Sequence, residues 1–384
     1  LNAGDGDDVL NGQEGNDTLN GGTGNDTYIF AANFGHDTIS NYDQTTNRQD
    51  VIQFTDSFVQ SDFSFRRVGN NLVIRTLVGE NSITVQSYFD SDALGHYRID
   101  QIQFSDNTVL DVEAVKALVL LGTAEADILQ AYASGSTISG EAGDDVITGN
   151  AGSDQLYGGA GLDKLYGEGG DDHLEGGAEN DQLYGGAGND TLIGDEGDDR
   201  LEGGTGNDTL QGGIGSDTLN AGDGDDVLNG QEGNDTFIGG QGNDTYLFEL
   251  GWEQDIIEFE NKNQTDIDAI VFINVDPNDL IIRKVGQDMV INHRITGDQL
   301  IVQSHFSNSS NKPINRVRFD NGIEWNEADL NVQAVKGTEL DDIIEGTTDR
   351  DTIHAGDGDD TIHGSYISGG VSKSMLTLNE AIID

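Results

Sequence analysis

The sequence predicts an all-β fold in which tandem blocks of stacked parallel coils alternate with small β-rich modules. Three observations predict it. A nine-residue phrase is repeated twelve times without a slip from Gly140 to Leu247, and self-similarity at a fixed period sets the architecture of a chain. One position of the phrase is always apolar, and it sits two places after an Asp. Between the repeats glycine thins, and short half-buried strands are read instead, as in Leu72-Val73-Ile74-Arg75, Ile83-Thr84-Val85-Gln86 and Ile99-Asp100-Gln101-Ile102-Gln103-Phe104.

Gly203-Gly204-Thr205-Gly206-Asn207-Asp208-Thr209-Leu210-Gln211 serves as the specimen of the phrase, G-G-x-G-x-D-x-U-x. Its glycines admit φ > 0 at no steric cost, so the first six residues read as a turn. The fifth position is often Asn or Asp (Asn189, Asn207, Asn234, Asn243, Asp144, Asp198). These are the non-glycine residues that best tolerate the same backbone, so they are expected to share it. Residues seven to nine make a short strand whose middle side chain points inward. That inward column is Ile147, Leu156, Leu165, Leu174, Leu183, Leu192, Leu201, Leu210, Leu219, Leu228, Phe237 and Tyr246. Two phrases close a flat coil of 18 residues, and coils stack with parallel strands roughly 4.8 Å apart.

The sixth-position column is Asp145, Asp154, Asp163, Asp172, Asp181, Asp190, Asp199, Asp208, Asp217, Asp226, Asp235 and Asp244. Asp8, Asp17, Asp26, Asp127, Asp342, Asp351 and Asp360 hold the same place in phrases outside the main run. Stacking puts Asp208 between Asp190 and Asp226, like charges in line. One apolar residue per phrase is a thin core, and this column repels unless a cation lies between the coils. Ca²⁺ takes six to eight oxygen ligands from carboxylates and backbone carbonyls, which is what the phrase offers. The competing reading, a disordered acidic linker, leaves an apolar residue two places after every Asp unexplained. It fits the calcium-free state.

The phrase resembles the RTX (repeats-in-toxin) nonapeptide of secreted haemolysins, adenylate cyclase toxins, metalloproteases, lipases and large adhesins. The resemblance implies a right-handed parallel β-roll, with Ca²⁺ held between turns by the sixth-position Asp and neighbouring carbonyls. It also implies type I secretion, which reads an uncleaved C-terminal signal. The stretches at 29–121 and 248–336 resemble the haemolysin-type calcium-binding-related module that separates arrays in some RTX proteins.

Charge and composition narrow the partners. The chain carries 71 acidic and 18 basic residues, net −53, with no basic stripe to hold nucleic acid. Residues 122–247 hold 27 acidic and 2 basic groups, so the charge concentrates where the cation sites are placed. Self-repulsion keeps such a chain expanded where calcium is scarce. Without cysteine there is neither a disulfide framework nor a thiolate metal site. No apolar run reaches the 18 residues of a membrane span.

Taken in order, residues 1–28 read as the end of a β-roll block; Leu1 opens inside a repeat, as in a fragment. Residues 29–121 read as a β-rich capping module that closes with a helix near Asp111 to Leu121. Residues 122–247 form the main roll of 14 phrases. Its early phrases are imperfect: Ser136 stands at a sixth position and supplies no carboxylate. Glu179 stands where the fourth-position glycine belongs, which strains the turn before Asp181. Eleven same-side pairs keep both Asp, so on the order of ten Ca²⁺ are expected there. Residues 248–336 repeat the module, 337–364 read as a third short block, and 365–384 as a tail that is either part of a secretion signal or a chain boundary. Residues 1–30 match 219–248 at 26 of 30 positions, so an array-plus-module unit has been duplicated.

No catalytic constellation stands out: neither H-E-x-x-H nor G-x-S-x-G occurs. Tyr166 and Tyr184, 18 residues apart, are expected to stack on one face; surface packing and a sugar platform both account for that. His354 and His363 fall nine apart, on opposite sides of a roll. The expected function is non-catalytic: a segment of a large type I-secreted toxin or adhesin that folds on calcium outside the cell, at an expected affinity of about 10⁻⁴–10⁻³ M. The alternative is the C-terminal region of a secreted hydrolase, a protease or lipase. Rising phrase quality toward residue 247 predicts that folding starts there and spreads toward residue 122.

Overall fold

A computed structural model describes residues 1–258, 265–307, 312–337, 343–346, 353, 355 and 360–363. Their contacts divide into two units. One comprises Leu1–Gly122 with Leu129–Ala133, the other Thr123–Ile128 with the described residues from Ser134 onward.

In the second unit successive phrases alternate between two parallel sheets. One contains the strands Thr191–Glu196, Thr209–Ile214 and Val227–Glu232; the other contains Gln182–Ala187, Arg200–Thr205 and Thr218–Asp223. Register is offset by 18: Leu192 faces Leu210, which faces Leu228, and Leu183 faces Leu201, which faces Leu219. Leucines of both sheets meet between the layers with no exposed surface. The roll is therefore the predicted all-β parallel solenoid, with the eighth position as its apolar seam.

Two details of the phrase differ from the sequence reading. From Gln155 to Gln241 the strands are six residues long, not three: Thr209–Ile214 runs through Gln211 into Gly212 and Gly213 of the next phrase. Side chains alternate inward and outward along a strand. The first-position glycine thus takes the inward place after the leucine, as burial of both Leu201 and Gly203 shows. The left-handed backbone lies at positions two and four, not five. Gly204 has φ +114° and Gly206 φ +129°, and where position two is not glycine it still has positive φ, as in Glu168 (+70°) and Asp195 (+74°). None of the fifth-position Asn or Asp residues has positive φ; their role is a hydrogen-bonding one, given below.

Glu179 does adopt the strained backbone, at φ +80°. A side chain there costs roughly 1–2 kcal/mol relative to glycine. Glu179→Gly is accordingly expected to stabilise the calcium-loaded roll by about 1 kcal/mol. Thermal unfolding in saturating calcium measures this, and an unchanged or lower midpoint rejects strain at this turn.

Beyond the last phrase the sheets continue. Thr245–Phe248 pairs in parallel with Ala269–Phe272, and that strand with Arg316–Phe319, before the antiparallel strand Glu324–Asn326. In the other sheet Thr236–Gln241 is followed by Gln254–Ile257 and Gln299–Val302, then by the antiparallel strands Asp288–His293 and Leu280–Val285. Aromatic rings replace leucine at this end: Phe237 and Phe248 lie 5.5 Å apart, and Phe248 and Trp252 6.0 Å.

The first unit repeats the plan. Its sheets run in parallel from Thr18–Thr23 to His36–Ile39 and Ser82–Val85, and from Thr27–Phe30 to Val51–Phe54 and Gln101–Gln103. Antiparallel strands again end both sheets. The expected helix spans Val112–Leu118, N-capped by Asp111, whose carboxylate accepts the Ala114 N–H at 2.9 Å. Val115 and Val119 are buried, and Val112 packs partly buried against the same core. Further along the chain Ile343–Glu345 pairs with Thr361–His363, again 18 residues on. Asp342, Asp351, His354 and the tail 365–384 lie outside the described residues.

Candidate metal centre

The first-position glycine creates the site. A side chain at Gly203 would stand 2.5 Å from Oδ2 of Asp208 and 2.6 Å from the carbonyl oxygen of Ala221, one coil further on. At Gly185 the same two distances, to Asp190 and the carbonyl of Gly203, are 2.5 and 2.6 Å. From Gly140 to Gly212 each missing first-position Cβ therefore leaves a hollow walled by a carboxylate oxygen and a carbonyl oxygen of the next coil. The interior alternates a leucine layer with a layer of acid.

Each carboxylate divides its oxygens. Oδ1 accepts the backbone N–H of the Asp one coil earlier: Asp190 N–H to Asp208 (2.8 Å), Asp208 to Asp226 (2.7 Å), Asp181 to Asp199 (2.8 Å), Asp199 to Asp217 (2.8 Å). Oδ2 of Asp145, Asp154, Asp163, Asp172, Asp181, Asp190, Asp199, Asp208, Asp217, Asp226 and Asp235 is buried with no hydrogen-bond partner. These residues are 1–3 % exposed. A column of buried, unsatisfied carboxylate oxygens is costly unless a cation satisfies it.

The remaining predicted residues fall as follows. Asp127 donates its N–H to Asp145 (2.6 Å), and Asp244 to Asp268 (3.0 Å). Ser136 keeps the backbone bond to Asp154 (2.6 Å) but brings no carboxylate. Asp8 donates to Asp26 (3.0 Å), and Oδ2 of both is orphaned; Asp17 donates to Asp37 (2.7 Å). Asp360 is described, but Asp342 and Asp351 are not. Among the described residues no three His, Cys, Asp or Glu side chains form a metal-holding group. A cation here therefore draws on one or two carboxylates and on carbonyls, a hard all-oxygen set.

A second ladder, at the fifth position, points the other way along the stack. The side chain of Asn189 accepts the N–H of Asn207 (2.8 Å), that of Asn207 accepts the N–H of Asp225 (2.9 Å), and that of Asp225 the N–H of Asn243 (2.8 Å). The two ladders satisfy the fifth- and sixth-position amides of the turn, while the fourth-position amide donates to a backbone carbonyl of the next coil, as Gly206 does to Asp223 (2.8 Å). Sequence reasoning also missed Asp37, Asp50, Asp255 and Asp268, which take sixth-position roles at spacings of 20 and 24 residues. Their signal was Gly35-x-Asp37-x-Ile39 and Asp255-x-Ile257, read out of period. Tyr166 and Tyr184 stack as expected, ring centroids 5.0 Å apart.

Burial, and then the charges of neighbouring coils, push the carboxyls up against the opposing effect of the backbone N–H. Asp145, Asp199 and Asp235 rise to about 6; Asp154, Asp190, Asp217 and Asp226 to about 7; Asp181 to about 8. In the unfolded chain an Asp titrates near 3.9. These groups therefore stabilise the cation-free coil fully below pH ~4, and that stability is lost as pH rises through 6 to 8. The calcium-stripped chain is expected to gain β-sheet on acidification from pH 8 to pH 4 and to lose it on return. Far-UV circular dichroism follows this; a coil spectrum unchanged at pH 4 rejects it.

The family of the RTX calcium-binding nonapeptide repeat (4 copies) matches residues 1–28, 121–156, 148–183, 175–210, 211–246 and 336–365. The haemolysin-type calcium binding protein related domain matches 71–114 and 288–329. The chain is similar to the iron-regulated protein FrpA of Neisseria meningitidis serogroup C, 47% identical over 112 residues. That match covers 29% of this chain and only 10% of FrpA. Among solved structures, the extracellular lipase LipA from Serratia marcescens aligns over 79% of this chain and 37% of its own at 16% identity. Its TM-score of 0.21 is too low to bear on fold or function.

Proposed function

From the premise that this chain belongs to the RTX family of calcium-binding nonapeptide repeats, we propose that its sixth-position Asp columns hold Ca²⁺, on the order of ten ions in the main roll. The observation that carries this is the row of buried Oδ2 atoms without partners, those from Asp145 to Asp217 each facing a glycine hollow shared with a carbonyl of the next coil. Calcium then acts as the staple that a cysteine-free chain with a thin core needs. RTX repeat proteins are generally secreted, and no described helix is long and apolar enough to cross a membrane.

The finer reading is an export and folding segment of a large toxin or adhesin, non-catalytic in itself. It leaves through a type I apparatus as an expanded polyanion and folds in extracellular calcium. Residues 29–121 and 248–336 act as end caps and 337–364 as a further array. The duplicated array-plus-module plan supports this over a hydrolase tail. Folding starts near residue 247, where the array runs without a break into the aromatic cluster of Phe237, Phe248, Trp252 and Phe272. Pulsed hydrogen exchange after a calcium jump is expected to protect Thr236–Gln241 before Gln155–Ala160.

The direct test is calcium titration at pH 7 followed by circular dichroism and by calorimetry. A coil-to-β transition with many bound ions is expected, and Mg²⁺, which keeps its waters and a tight octahedron, should not drive it. A β-rich spectrum in excess chelator at pH 7 overturns the proposal.

A further inference from the structure

Each carboxylate column runs one coil past the last nonapeptide. In the first unit Asp37 stands 20 residues after Asp17, and its Oδ1 accepts the Asp17 N–H at 2.7 Å. In the second unit Asp255 stands 20 residues after Asp235, with the same bond at 2.7 Å. The return bonds match as well: Thr38 N–H donates to the Asp17 carbonyl and Ile256 N–H to that of Asp235, both at 2.8 Å. So does the fifth-position ladder, His36 N–H to Asn16 (2.9 Å) and Gln254 N–H to Asn234 (3.1 Å). Gly35 (φ +79°) and Glu253 (φ +50°) supply the left-handed fourth position, and Ile39 and Ile257 the buried eighth. The family matches end at residues 28 and 246 and resume at 71 and 288, so neither Asp37 nor Asp255 falls within one.

Asp37 is 2 % exposed and Asp255 1 %. Oδ2 of Asp37 is buried without a partner, and so is Oδ2 of Asp235, the Asp before Asp255.

The opposite edge of the first unit ends differently. There Asp50 accepts the Asp26 N–H (2.9 Å), but its other oxygen takes Asn41 Nδ2 (2.8 Å) and the Arg48 guanidinium. Arg48 also reaches Asp100 (3.7 Å) and Asp43 (3.8 Å) and donates to the carbonyls of His96 and Arg98 (3.0 Å each). A tethered cation thus closes that edge inside an all-oxygen cage. Among the described residues neither Asp37 nor Asp255 has such a counter-charge.

We propose that Asp37 and Asp255 are Ca²⁺ ligands, so that each array binds one ion more at its junction than its nonapeptides account for. This rests on the reading of the Asp columns as calcium sites. In both copies the two inserted residues are taken up between the preceding strand and the turn. The site survives the break in period because the inter-coil bonds, not the sequence spacing, place the carboxylate.

The test uses the full chain and two readouts. Asp37→Asn and Asp255→Asn keep the Oδ1 acceptor for the preceding N–H while removing the charge. In equilibrium dialysis with radioactive calcium, each is expected to lower the bound stoichiometry by one, and the double variant by two, with the β-sheet spectrum retained. The second readout avoids counting one ion among many. Trp252 lines the same cavity as Asp255, so Tb³⁺ at that site should emit on tryptophan excitation. That emission is expected to vanish in Asp255→Asn and in Trp252→Phe, while tyrosine-sensitised emission from the arrays persists. Unchanged stoichiometry in the double variant, with unchanged tryptophan-sensitised emission in Asp255→Asn, overturns the inference alone. A wild-type chain that binds no calcium overturns the underlying reading as well.

Discussion

Leu210→Asp is expected to abolish folding of the main roll even in saturating calcium. Leu210 has no exposed surface and lies in register between Leu192 and Leu228. Removing a buried leucine alone costs about 2–5 kcal/mol. The new carboxylate adds the cost of an unpaired charge in the seam. Calcium cannot repair it, because the glycine hollows with their carbonyls line the acid layer and not the leucine layer. Asp208→Ala comes second: it leaves the Asp190 N–H without its acceptor and empties one wall of a hollow. Asp181→Ala comes third, since Glu179 already weakens that turn. Calcium titration ranks them: Leu210→Asp is expected to show no transition, and Asp208→Ala a higher midpoint than Asp181→Ala; a transition in Leu210→Asp, or equal midpoints for the other two, refutes the order.

Gly206→Val is expected to be as damaging by a different route. Gly206 has φ +129°, a conformation that side chains rarely adopt, and a Cβ there would overlap the carbonyl oxygen of Gly188 in the coil before. The obstacle is backbone, so no rotamer relieves it. Relief requires those two coils to part, which breaks the Gly188 N–H bond to the Thr205 carbonyl (2.9 Å) and the fifth-position ladder between Asn189 and Asn207. A loss above about 4 kcal/mol places this among the exceptional single substitutions. Thermal unfolding in saturating calcium measures it, and a loss under about 1 kcal/mol would mean that the coils do not stack as tightly as described.

What was legible in the sequence was whatever repeats in one dimension. The period of nine gave the coil, Leu210 and its counterparts gave the seam, and Asp208 and its counterparts gave the column. The division of labour between Oδ1 and Oδ2 was not legible, because it depends on which coil a backbone N–H faces. The fifth position was misread for a related reason. Asn207 is a residue that tolerates left-handed backbone and also one that accepts a hydrogen bond, and only the stacked neighbour decides between the two. Glycine was misassigned to the turn because Gly212 and Gly213 are poor strand residues in isolation. They become strand when Gly230 and Gln231 pair beside them. Asp37, Asp50, Asp255 and Asp268 escaped because two or six extra residues shift them out of period. A search for the inter-coil bond, not the spacing, would have found them.

The parallel ladders also fix how the second unit responds to tension. Its inter-strand bonds lie along the stacking axis, so a pull on the two ends of the array loads them one after another and not side by side. Such a stack yields from its ends, coil by coil, like thread leaving a spool. Each released coil of 18 residues gives up roughly 60 Å of extended chain in place of roughly 5 Å of stack. On the proposed calcium reading every step would also expel the ions that coil shares with its neighbour, so the metal would set the force of each step while the period of the phrase sets its length. An array built this way would lengthen more than tenfold under load by regular increments and rewind when the load falls.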